Sequence, residues 1–160
     1  MTITNPLVVK DAPQFTVLAY TRDVTFAEIP SLAGEILPKI FDFVNSKLDT
    51  SISGPAIFQY GPSEKPDHMN LIIAIPVLSK EGLTVDSDEF QLQQLPPQKV
   101  VSIEYAGSMA NIAQAWEQFY KLATEANLSF ECGNGREIYT IWIDFDSPDN
   151  RTELQIFLNE

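Results

Sequence analysis

The chain is 160 residues long and carries a formal net charge of −12, from 22 acidic and 10 basic residues. That length fits one compact domain able to bury roughly 70% of its unfolded surface, and no apolar run approaches a membrane span. The acid excess argues against direct nucleic-acid binding, which needs Lys and Arg to displace phosphate counterions.

The N-terminal Met-Thr-Ile-Thr-Asn lacks a basic segment followed by an apolar one, so no secretory signal is expected. Residues 1–12 read as a short, partly extended tail. Phe15 to Tyr20 is β-rich and predicts a strand. From Glu28 to Leu48 the apolar residues Ile29, Leu32, Ala33, Ile36, Ile40, Phe43 and Val44 recur at helical spacing. Pro30 suits a first turn, whereas Pro38 falls mid-pattern and should kink or break the helix. Ser53-Gly54-Pro55 turns into the strand Ala56 to Tyr60, Gly61 to Asp67 is a polar loop, and Leu71 to Val77 is a buried-looking strand.

Residues 79–96 read as a linker, in which Asp88 to Leu95 alternates only weakly. Val100 to Tyr105 predicts the next strand, followed by Gly107-Ser108 and a helix over 109–127. That helix carries Ile112, Trp116, Phe119, Tyr120 and Ala123 on one stripe, with Ser108 as its cap. Gly133-Asn-Gly135 is a turn signal, and two strands follow, Glu137 to Asp144 and Glu153 to Leu158.

These elements state one pattern twice. Residues 13–78 and 97–158 both read strand, helix, strand, strand, so the fold class is α+β: antiparallel sheet with helices packed on one side, in two pseudo-twofold-related repeats. The offset is 84 residues at Pro13 and Pro97, and 81 at Gly54 and Gly135 and at Ile75 and Ile156. On that alignment Glu137 stands where the first repeat has Ala56, so a carboxylate replaces a small apolar residue.

The available chemistry is sparse. His68 is the sole histidine and Cys132 the sole cysteine, so no metal centre, disulfide or Ser-His-Asp arrangement is indicated, and no cofactor is expected. A lone thiol also fits a reducing, cytoplasmic setting. Acid–base or binding chemistry must therefore rest on carboxylates and tyrosines. Strand alternation puts Glu137, Tyr139 and Ile141 on one face, with Ile138, Thr140 and Trp142 on the other. A partly desolvated carboxylate beside an aromatic ring suits a hydrophobic cation. It equally suits a general acid or base acting on a hydrophobic substrate. The plainer alternative pairs Glu137 with Arg136 or Lys99 on an exposed face.

Taken together, Tyr105-x-Gly107-x-Met, the Ala115-Trp116-x-x-Phe-Tyr120 helix, Gly135-x-Glu137-x-Tyr139 and the closing Thr152-Glu-Leu-x-Ile-x-Leu158 resemble the GyrI-like small-molecule-binding domain. The resemblance covers about residues 13–158 and implies one such domain over 1–160. It also implies kinship with the effector-binding module of multidrug-responsive bacterial transcription activators. With no room for a DNA-binding helix-turn-helix before residue 13, a stand-alone form is expected.

In that family a carboxylate on the penultimate strand of the second repeat lies at the bottom of a ligand pocket, and Glu137 matches it. The expected function is binding of a hydrophobic, cationic or aromatic small molecule, through Glu137, Tyr139, Tyr105, Trp116 and Tyr20. If the pocket is instead that of a hydrolase opening strained rings, Glu137 is the general acid or base and Tyr139 the proton donor. A third reading is a protein-interaction module such as a gyrase antagonist, acting through its acidic exterior. No membrane partner is expected.

Overall fold

The computed structural model describes residues 2–3 and 6–159. Met1, Thr4, Asn5 and Glu160 lie outside the described residues, and with them parts of the expected tail and of the stretch read for a signal. The chain falls into two compact units: Gln14–Pro96, and Pro97–Glu160 with the N-terminal residues up to Pro13.

In the first unit, β3 (Phe15–Val24) pairs antiparallel with β5 (Met69–Pro76), which pairs in turn with β4 (Ile57–Pro62). On its other side β3 pairs with β6 (Gln91–Leu95). Helix α1 (Ile29–Lys47) packs on β3 and β5, burying Leu32, Ile36, Ile40, Phe43 and Val44 along one stripe. A capping box opens the 3-10 turn Phe26–Glu28 that leads into it: the backbone N–H of Thr25 donates to Glu28 Oε1 at 2.8 Å.

Pro38 does not break this helix, whose span runs unbroken past it. The ring would crowd the carbonyl of Gly34, one turn back, and both residues lie on the exposed face. With nothing within 4 Å of the Gly34 Cβ position, that turn has room to adjust toward water.

The weakly alternating stretch after residue 88 is a true strand, β6. Phe90 just before it is a core residue at 5% exposure, its ring edge-on to Phe43 at 5.5 Å and to Tyr20 at 6.5 Å. The expected linker thus supplies both a strand and an aromatic plug.

In the second unit, β7 (Gln98–Ala106) pairs with β9 (Arg151–Leu158), and β9 with β8 (Phe130–Ile141). The expected tail is not free. Backbone pairing places β1 (Thr2–Ile3) against Tyr105 and Ala106, and β2 (Val8–Ala12) against Gln98 to Ser102. Ala12 is buried with Val100 and Phe157. The two segments share the outer edge of β7, satisfying backbone groups that would otherwise be open.

Helix α2 (Ile112–Glu125) packs on β7 behind a 3-10 turn, Met109–Asn111. Ser108, the expected cap, closes the start of that turn, its Oγ accepting from Ala110 N at 3.0 Å. The core beneath it joins Ala115, Phe119 and Ala123 to Val101, Ile103, Tyr105, Leu154 and Ile156. Burying Phe119 alone contributes on the order of 2 kcal/mol. Both units therefore carry the strand–helix–strand–strand order of an antiparallel α+β fold.

Gly133-Asn-Gly135, expected as a turn, lies inside β8. The register shifts between Phe130 and Gly135, and Gly133 has φ +82°. Gly135 is required by close approach: a Cβ there would stand 2.3 Å from the carbonyl oxygen of Gln155.

The pairing also corrects the alignment of the repeats. Gly135 sits opposite Ile156 inside β8, whereas Gly54 precedes β4 altogether. With Ile75 and Ile156 kept as equivalents, Ile73 matches Leu154, and their partners on the next strand are Phe58 and Glu137. Glu137 therefore replaces a buried phenylalanine, not Ala56, and Tyr139 matches Tyr60.

The face of the second unit's sheet turned away from α2 is polar at one spot. Glu153 Oε2 accepts from Lys10 Nζ at 2.7 Å, Ser102 Oγ at 2.7 Å and Gln155 Nε2 at 2.6 Å. Burial pushes the Glu153 carboxyl up, but the hydrogen bonds from Gln155, Lys10 and Ser102, with the Lys10 charge, more than offset it and hold it below its ordinary value. Arg136, fully buried, donates from Nε to Gln155 Oε1 at 2.6 Å and lies over the Phe157 ring at 5.2 Å. Its burial drags the guanidinium down to about 10, against the pull of Glu153.

Candidate functional site

Glu137 is the centre of the site. It lies in β8 opposite Leu154, on the face that carries Leu154 and Ile156 toward α2, and it is 4% exposed. Alternation turns its neighbour Arg136 to the other face, against Gln155 and Phe157. The exposed ion-pair reading of Glu137 is thereby corrected: the carboxylate is buried.

Both carboxylate oxygens accept hydrogen bonds from aromatic side chains. Trp116 Nε1, on α2, donates to Oε2 at 2.6 Å. Tyr139 OH, two residues along β8, donates to Oε1 at 2.5 Å. Bonds to a charged acceptor are short and about twice as strong as neutral ones, so they fix the carboxylate between helix and strand.

The aromatic system extends from this point in both directions. Trp116 lies 5.8 Å from Phe119 and 5.6 Å from Tyr120, and Tyr120 stacks on Phe130 at 5.8 Å. Tyr120 OH accepts from Gly133 N at 3.0 Å. Burial pushes the Tyr120 hydroxyl up; the Gly133 bond lowers it, while the charges of Cys132 and Glu137 raise it further. On the other side, Tyr139 meets the ring of Trp142 edge-on at 5.8 Å.

Of the five residues read from the sequence, the structure brings Glu137, Tyr139 and Trp116 into direct contact. Tyr105 is fully buried in the core beneath α2, its hydroxyl donating to Ser108 O at 2.7 Å. Tyr20 lies on β3 in the other unit, half-buried and edge-on to Phe90. Tyr120 and Trp142 were missed. Tyr120 stood on the same helical stripe as Trp116, which was the signal for it. Trp142 alternates onto the wrong face of an ideal strand, but the register shifts between Ile138 and Ile141 and undoes that alternation.

A cavity of about 160 Å³ bordered by Val8, Lys10, Ser102, Glu104, Thr140 and Glu153 belongs to the polar spot at Glu153, not to Glu137. Among the described residues no group of His, Cys, Asp and Glu is arranged to hold a metal ion. Nor is any helix among them long and apolar enough to cross a membrane.

Solved structures share the fold. EcmrR in its complex with DNA superposes with a TM-score of 0.75 at 17% identity, covering 97% of this chain and 57% of that one. This chain thus spans little more than half of that EcmrR chain. The EcmrR C-terminal domain alone gives 0.72 at 15% identity, over 97% of this chain and 98% of that domain. SAV2435, solved bound to tetraphenylphosphonium, gives 0.65 at 13% identity, over 97% and 94%. At such identities the likeness is one of fold, and no curated protein matches the chain. The family model of the GyrI-like small molecule binding domain matches residues 88–157. That stretch holds α2, Glu137 and Tyr139, and the match is to the family that the sequence motifs resemble.

Proposed function

We propose that the chain acts as one GyrI-like domain that binds a hydrophobic, cationic small molecule, with Glu137 meeting the charge and aromatic rings enclosing the rest. The observation that carries this is the buried Glu137 carboxylate, held by Trp116 and Tyr139 within a run of rings. A carboxylate oriented by aromatic donors offers a cation both a countercharge and π faces. SAV2435, of the same fold, was solved with a cation of this kind, tetraphenylphosphonium. Tyr105 is a further contact to be tested by substitution, and the acting compartment is the cytoplasm.

The test is titration of tetraphenylphosphonium and of neutral triphenylphosphine oxide into the protein and its Glu137→Gln variant. Loss of the charge should weaken the cation by about 1–3 kcal/mol and leave the neutral compound nearly unchanged. Equal loss for both would make the carboxylate a structural element.

A second reading is supported by the 2.5 Å contact between the Tyr139 hydroxyl and Glu137, which joins a proton donor to a carboxylate. The same pair would serve a hydrolase opening a strained ring. Turnover of an activated cyclopropane, falling by about 100-fold or more in Glu137→Gln, would favour it. No turnover by the unsubstituted protein would leave the binding reading standing.

A further inference from the structure

Trp142 is a large apolar side chain left 49% exposed, just beyond the end of β8. Its neighbours Ile141, Ile143 and Phe145 are exposed as well, but the Trp142 ring is also packed against the site. It meets Tyr139 at 5.8 Å with an interplanar angle of 69°, and Tyr139 in turn donates to Glu137. A path of two rings and one hydrogen bond therefore leads from solvent to the buried carboxylate.

The backbone under Trp142 is pinned from several sides. Ile143 N donates to Asn150 Oδ1 at 2.8 Å, and Asn150 Nδ2 donates to Asp144 O at 2.7 Å. Phe145 O accepts from Met109 N at 2.9 Å, which ties the segment to the start of α2. Asn150 itself is 1% exposed, so the clamp is part of the folded body. A ring presented from fixed backbone loses little freedom when something stacks on it. The carboxylates of the segment that follows, Asp144, Asp146 and Asp149, are all exposed and favour the approach of a cation over an anion.

We propose that Trp142 is an outer aryl subsite of the Glu137 site, receiving an aromatic arm of a cation whose charge is neutralised at Glu137. The inference rests on the binding function proposed above and narrows its ligand class. The preferred ligands are cations bearing aryl arms long enough to reach from Glu137 past Tyr139 to Trp142. Compact alkyl cations use Glu137 alone.

The experiment compares tetraphenylphosphonium with tetrabutylammonium by isothermal titration, using the full chain and its Trp142→Ala and Trp142→Phe variants. Trp142→Ala should weaken tetraphenylphosphonium by about tenfold or more, as expected for loss of a stacking and cation–π surface. It should leave tetrabutylammonium within about twofold, and Trp142→Phe should restore most of the loss. Unchanged tetraphenylphosphonium affinity in Trp142→Ala would overturn the subsite while leaving the Glu137 reading intact. Equal losses for both cations would also overturn it, because the residue would then act on the fold of the site. A parent protein binding neither cation would overturn both proposals at once.

Discussion

Phe58 and Glu137 occupy the same register position in the two units, each one strand away from an equivalent core residue, Ile73 in one and Leu154 in the other. Phe58 fills its place with a ring at 3% exposure; Glu137 fills its own with a carboxylate at 4%. The substitution is tolerable because Trp116 and Tyr139 supply donors to both oxygens. Trp116→Phe keeps the ring but removes the N–H to Oε2. Stability in urea should fall by about 1.5–3 kcal/mol, the range for a hydrogen bond to a charged group. An unchanged midpoint and slope would show that water replaces the indole at no cost.

The glycines at 34 and 135 predict opposite outcomes for one substitution. Gly135→Ala drives a methyl group to within 2.3 Å of the Gln155 carbonyl oxygen, which two paired strands cannot easily move. A loss of about 1–3 kcal/mol is expected, as for overpacking elsewhere. Gly34→Ala, in the exposed interior of α1 with nothing within 4 Å, should gain about 0.5–1 kcal/mol. Thermal melts of the two variants check both signs.

Tyr105 and Gly107 should be coupled. The Tyr105 hydroxyl reaches Ser108 O, and a Cβ on Gly107 would stand 2.6 Å from that same hydroxyl, at φ +151°. Tyr105→Phe should cost about 0.5–1.5 kcal/mol for the lost bond. Gly107→Ala should cost more, through both the clash and the backbone. In the double variant the clash with oxygen is gone, so the combined loss should be smaller than the sum. Strict additivity in denaturant titrations would mean that the tyrosine ring shifts freely.

Glu153 predicts how stability depends on acid. Its carboxyl is held below its ordinary value in the fold, so its contribution is fully present above the unfolded value. It is lost as pH falls through the lower, folded value. Below about pH 4.5 the parent protein should therefore lose stability more steeply than Glu153→Gln. Lys10→Met, which removes one donor and its positive charge from that oxygen, should flatten the same limb in part. Parallel curves for parent and Glu153→Gln across that range would rule the linkage out.

The legible parts of this fold were those with a period. β3, β5, β7 and β9 are apolar runs, and both helices carry stripes at spacings of three and four, so each could be read from its own residues. β2 and β6 could not. Val8-Val-Lys-Asp-Ala and Gln91-Leu-Gln-Gln-Leu show no clean alternation, because each pairs on only one side, with β7 and β3 respectively. Gly135 looked like a turn because a glycine needed for close approach is indistinguishable, in sequence, from one needed for a positive φ. At the site, Glu137 with Tyr139 followed from strand alternation. The Trp116 contact spans 21 residues and depends on how α2 settles on the sheet, which no local pattern encodes.

The strand pairing of residues 8–12 gives the N-terminal segment a guarding role. β7 lies at the centre of its unit's core yet has β9 on one side and the two short N-terminal strands β1 and β2 on the other. Peeling them away would bare a row of backbone donors and acceptors beside Val100 and Val101, a template onto which a second molecule could add a strand. Proteolytic nicking or a bulky fusion near Pro13 would then threaten solubility before it touched the Glu137 site.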